Sequence, residues 1–240
     1  ENSSAASDVY KRQALHSALQ NVLAKALNGQ NLKAVIVEAH PYDTESNRTD
    51  ISISSAEKPG EILYYVDTTV TNTQQKRIPK LKKLTDADNI VCCRDLLLNE
   101  TVVNNHIFSA TAKKLRKFKG CHDSACENGR SPSSIVVPFA VDTLGNFCSV
   151  AVIFLKKLAK IKFEKIPGST EFRDLTASTW VNTTCRDIQT AIIKTCAYNN
   201  RSALKLAFGE EYDKLYPGSI YSPPSYNCLL YTSDAADEFS

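Results

Sequence analysis

Three carboxylates at or beside the ends of expected strands, Glu38, Asp50 and Asp67, and a run of cations on one expected helix are the residues here that could do chemistry. Asp67 lies inside Tyr64-Tyr65-Val66-Asp67-Thr68-Thr69-Val70-Thr71-Asn72, where strand propensity disfavours aspartate and burial without a partner is costly. Adjacent strands would let Asp50 and Asp67 face each other, and two close carboxylates repel unless a cation or proton sits between them. Hard oxygen ligands of this kind suit Mg2+, which keeps several waters and accepts phosphate oxygens. Lys113, Lys114, Arg116, Lys117 and Lys119 supply the positive charge. Cleaving a phosphodiester needs both parts, acids to hold metal and cations to offset transition-state charge. Plainer readings stay open: Asp50 as a solvated turn residue, Asp67 paired with Arg48 or a lysine, and the basic helix as a wet face.

The elements that must position these residues follow from periodicity. Leu15, Leu19, Val22, Leu23, Ala26 and Leu27 recur at helical steps before Gly29, so an amphipathic helix with a glycine stop is expected. Strands are expected over Lys33–Glu38, Asp50–Ser54 and Glu61–Asn72, with a Pro59-Gly60 turn between the last two. The stretch from 73 to 105 begins with Lys76, Arg77, Lys80, Lys82 and Lys83 and offers a weakly defined helix near Asp86–Leu98. His106–Lys119 reads as the basic helix, Gly120–Ser133 as a turn-rich loop, Ile135–Val141 as a strand covered on both faces, and Val150–Ile161 as a helix. Thr176–Phe208 reads as two amphipathic helices hinged near Tyr198-Asn199-Asn200. The order is mixed α/β.

The two ends carry a different signal. Ser3–Gln13 and Cys228–Glu238 translate one nucleotide string and its reverse complement, that of a library-preparation adapter, so residues 1–13 and 228–240 are expected to be processing scars. The natural chain is then expected to run from about Ala14 to Asn227, as an internal fragment. Setting aside Lys11 and Arg12, and Glu1, Asp8, Asp234, Asp237 and Glu238, raises the net charge from +3 to +6. That favours a polyanionic partner. Removing Cys228 leaves seven of the 8 cysteines, an odd and scattered set that reads as reduced and intracellular. The sequons at Asn47, Asn99, Asn182 and Asn200 would suggest secretion only alongside a signal peptide, and carry little weight. No apolar run approaches the ~20 residues needed to cross a bilayer, so no membrane partner is expected. Cys121-His122-x3-Cys126 has zinc-like spacing, but its companions Cys92-Cys93 are distant and adjacent to each other, and loop thiols are the simpler reading. His40 and His106 lack a partnered nucleophile.

In order, Leu15-His16, Val37-Glu38-Ala39-His40-Pro41, Arg48-Thr49-Asp50-Ile51, Val66–Asn72, Ala110–Phe118 and Val137–Gly145 carry a resemblance. The series resembles the restriction-endonuclease-like domain at the C-terminal end of site-specific non-LTR retrotransposon polyproteins, in the PD-(D/E)XK nuclease superfamily. It runs from about His16 to Lys160 and more faintly over Ile188–Leu206. The resemblance implies an α/β fold, a restriction-endonuclease-like mixed central sheet flanked by helices over residues 14–165, with 73–105 as an insertion and a helical tail at 170–210. Asp50 matches the aspartate of the family's Pro-Asp motif, with Thr49 in place of the proline. Asp67 matches the second acid, and Lys114 a helix-borne catalytic lysine, with Lys113 or Lys117 as substitutes. Glu38 matches an additional acid, and His16 the histidine of an Arg-His pair.

The implied chemistry is nicking of one DNA strand. Asp50, Asp67 and Glu38 would hold Mg2+, and Lys114 would orient water and stabilise the phosphate. Lys113, Arg116, Lys117, Lys119, Arg48 and His16 would contact DNA. The implied partners are double-stranded DNA and, through upstream domains, element RNA; the implied location is nuclear. Two rival expectations are a degenerate copy that binds DNA without cutting and a protein-interaction domain that binds no nucleic acid.

Overall fold

The computed structural model describes residues 2–29, 31–41, 48–58, 60–72, 106–127 and 135–209. They form α1 (Asn2–Leu27), β1 (Leu32–Ala39), β2 (Thr49–Ser55), β3 (Ile62–Thr71), α2 (His106–Glu127), β4 (Ile135–Asp142), α3 (Ser149–Phe163) and α4 (Thr170–Phe208). This is the mixed α/β order that the residue pattern predicts. The weak helix near Asp86–Leu98, the Pro59-Gly60 turn, Cys92-Cys93 and the C-terminal scar fall wholly or partly outside the described residues.

The four strands lie in the order β1-β2-β3-β4. Both β1/β2 and β2/β3 are antiparallel, and β3/β4 is parallel. A parallel pair needs a long crossover, and α2 lies on that path. Consecutive strand residues point to opposite faces, so Tyr64 and Tyr65 report which helices cover which side. The Tyr64 ring meets Phe154 of α3 edge-on at 5.2 Å, whereas Tyr65 packs beside Val136 and Phe118 of α2. Helix α2 therefore covers one face, and α1 and α3 the other. On β4, Val136, Val137, Phe139, Ala140 and Val141 are all buried, as a strand covered on both sides requires. Pro138 falls on the sheet's edge strand, where a residue without an N–H is tolerated.

Helix α4 packs on α1 and α3 and gives Val181, Ile188 and Ile192 to the same core as Leu19, Leu23 and Phe154. One lysine ties the layer together. Lys162 Nζ donates to the carbonyls of Ala26, Leu27 and Asn28 at 2.7, 3.1 and 2.8 Å, at the α1 terminus where carbonyls lack helical partners.

Two expectations need correction. The loop expected from Gly120 begins later, because α2 continues to Glu127. A Cβ at Gly120 would stand in open space, the Cys121 thiol bonds back to the Lys117 carbonyl, and Lys119 pairs with Asp123 one turn on. The hinge at Tyr198-Asn199-Asn200 is absent, since α4 is one continuous helix. The Asn199 amide donates to the Lys11 carbonyl of α1 at 3.2 Å, a contact made within the expected N-terminal scar. The α4 start is set by Ser169, whose hydroxyl accepts the Phe172 N–H. Among the described residues no helix is long and apolar enough to cross a membrane.

Candidate functional site

The β2/β3 ladder runs as far as Ile51 opposite Val66, and Asp50 and Asp67 are the next residue on each strand. Both acids thus stand where antiparallel pairing gives out. Beyond that point β3 continues against β4, with Asp67 opposite Pro138 and Thr68 opposite Phe139. The Thr68 backbone N–H donates at 2.5 Å to Asp50 Oδ2, which also accepts the Thr68 hydroxyl at 2.7 Å. His16 Nε2 of α1 lies 3.2 Å from the same oxygen, 3.1 Å from the Thr68 carbonyl and 2.8 Å from its hydroxyl. One turn further along α1, the Gln20 amide meets His16 Nδ1 at 3.2 Å.

Burial works against a charge on His16. It is outweighed by the Asp50 charge and hydrogen bond, the Asp67 charge and the Thr68 carbonyl, and the pKa rises to about 9. Gln20 presents its Nε2 to Nδ1, the orientation that donates to a neutral ring, whereas a protonated ring donates from both nitrogens and would need the amide oxygen there. Burial raises the Asp50 pKa, but the His16 charge and the hydrogen bonds from His16 and Thr68 prevail and hold it below the ordinary value.

Asp67 has the opposite balance. Its carboxylate is nearly closed off from solvent on the α2 side. Lys114 Nζ stands 3.4 Å from Oδ1 and 3.3 Å from Oδ2, yet Oδ2 has no hydrogen-bond partner and is fully buried. Burial, reinforced by the Asp50 charge, pushes the pKa up to about 6 against the pull of Lys114 and His16. A buried carboxylate this poorly compensated has the electrostatics by which a candidate functional acid is picked out.

The remaining expected residues divide. Glu38 is taken by Arg48, at 2.6 Å, and among the described residues no hydrogen bond or ion pair brings it to Asp50 or Asp67. Arg48 is thereby engaged at the β1/β2 edge. On α2, Lys113 and Lys117 are exposed, Arg116 is half-buried and Lys119 pairs with Asp123. The Cys126 thiol lies 3.7 Å from His122 Nδ1. Among the described residues no three His, Cys, Asp or Glu side chains converge as a metal cluster. Thr68 and Gln20 were missed from sequence. Gln20 had a signal, its four-residue step from His16, whereas Thr68 had none beyond adjacency to Asp67.

Two acids at the end of a ladder, each met by a cation from a different helical layer, are the chemical content of this site. No protein-family model, no curated protein and no solved structure matches the chain.

Proposed function

We propose that this chain is a Mg2+-dependent DNA endonuclease domain of the restriction-endonuclease-like kind, serving a non-LTR retroelement. The carrying observation is the loose Lys114–Asp67 contact beside Asp50, with Asp67 Oδ2 buried and lacking a hydrogen bond. The donor set fits the ion, because Mg2+ takes one or two carboxylates and completes its shell with water and phosphate oxygens. Asp50 and Asp67 would hold it. When bound, Mg2+ supplies a Lewis acid and lowers the pKa of a water. On this reading Lys114 would offset charge on a scissile phosphate, and Lys113 and Lys117, which are exposed, would meet the duplex backbone.

A second reading is favoured by one specific observation. Each acid already has an intramolecular cation and Glu38 is committed to Arg48, as in a degenerate DNA-binding copy that no longer cuts. Nicking of supercoiled DNA by the full chain separates the two. The endonuclease reading expects Mg2+-dependent nicking, abolished by chelation and by Asp67→Ala, with Lys114→Met slower by about 100-fold or more. A shift of duplex DNA without nicking in Mg2+ or Mn2+ would establish the degenerate copy, and no shift at all would remove nucleic acid from the account.

A further inference from the structure

We propose that His16, backed by Gln20, is a positioning residue for Asp50: it fastens Oδ2 and leaves Oδ1 as the oxygen offered to a divalent cation. This rests on the endonuclease reading. The geometry that points to it is the full commitment of Oδ2. Two hydrogen bonds from Thr68 and one contact from His16 Nε2 converge on that single oxygen. Thr68 belongs to β3, the strand that also carries Asp67, so the same contacts tie Asp50 across the gap where the ladder ends. His16 is itself held at its second nitrogen by Gln20, so ring rotation is restrained at both ends. Among the described residues the contacts to Asp50 fall on Oδ2, and a carboxylate fixed at one oxygen is an oriented ligand; groups that orient ligands in this way affect affinity nearly as strongly as the ligands do. Among the described residues no hydrogen bond joins Gln20 to either acid, so salt-bridge stabilisation alone would not need it.

The test measures Mn2+ binding to the full chain by electron paramagnetic resonance, with nicking kinetics in parallel. His16→Ala is expected to weaken Mn2+ binding by about 10- to 100-fold, as loss of an orienting group does. Nicking by this variant should recover toward the original kcat as Mn2+ is raised, because the metal affinity and not the chemical step is damaged. His16→Gln keeps an N–H donor and is expected to restore most of the affinity. Gln20→Ala, remote from both carboxylates, should give a smaller loss in the same direction and decides the matter if His16→Ala does not fold. A folded His16→Ala with unchanged Mn2+ affinity would overturn the proposal while leaving the endonuclease reading intact. Binding that depends on His16 without any nicking would keep the positioning role and remove the hydrolysis. Mn2+ binding that Asp50→Asn leaves untouched would remove both.

Discussion

Lys114 and Asp67 meet at 3.3 and 3.4 Å, beyond the about 2.7–2.9 Å of a well-made charge-assisted hydrogen bond. The ammonium is close enough to lower the electrostatic cost of the carboxylate and too far to cancel it. Asp67 is therefore an ionisable group that the fold tolerates and does not use for its own stability.

Replacing it should strengthen the protein. The folded pKa, about 6, lies above the unfolded 3.8, so the fold prefers the protonated acid. The resulting cost is absent below about pH 3.8, grows with pH and is complete above about 6. Asp67→Asn is expected to gain about 1–3 kcal/mol near neutral pH, a shift of roughly two units being the ceiling. Thermal melts at about pH 7.5 and about pH 3.5 check this; a variant that melts lower at neutral pH contradicts it.

His16 and Asp50 give the reverse dependence. With the histidine pKa raised from 6.5 to about 9, its stabilising contribution is whole below 6.5 and disappears as pH climbs through about 9. Asp50, held below its usual 3.8, must also be ionised, so the contribution fades again in acid. His16→Ala should cost roughly 1 kcal/mol near pH 6, discounted because the ring is 35% exposed. Little difference is expected near pH 10, and urea titrations at the two pH values would reveal a flat difference if the pair carried no charge.

Away from the site, Gly145 should be hard to replace. Its φ is +81°, and an added Cβ would stand 2.9 Å from Gln189 Cγ and 3.1 Å from Gln189 Cα on α4. Gly145→Ala should cost about 2 kcal/mol through backbone strain and crowding. On the endonuclease reading, nicking per folded molecule should be unchanged, and denaturant unfolding with an activity assay on the folded fraction measures both.

On the endonuclease reading, the exposed cations of α2 should act through phosphate charge. Lys113→Ala and Lys117→Ala are each expected to reduce the slope of log affinity against log salt by about 1, without changing sequence preference. Binding isotherms at several salt concentrations read this directly; an unchanged slope would place DNA elsewhere on the surface.

How much of this was legible beforehand differs by residue. The strands around Asp50 and Asp67 declared themselves through alternation and β-branched content, and the misfit of Asp67 in an apolar strand marked it before any coordinate did. Periodicity placed Lys114 on a helix, and only the family resemblance preferred it to Lys113 or Lys117; packing of α2 on β3 is what selects the lysine that faces inward. The contact of Asp50 with His16 depends on where two strands stop pairing, a tertiary event with no local signature. The polar Tyr198-Asn199-Asn200 run misled because it resembles a break, whereas α4 runs through it as one continuous helix.

Lys162 leaves one more mark on the chain. Its Nζ would lie 2.8 Å from a Cβ built at Gly29, so the ammonium that closes the end of α1 also denies that position a side chain. The two sites are co-adapted: enlarging residue 29 would first evict the lysine, unpinning the helix that presents His16. Shortening Lys162 in the same molecule would make room for the new methyl, leaving the double change milder than the sum of its parts.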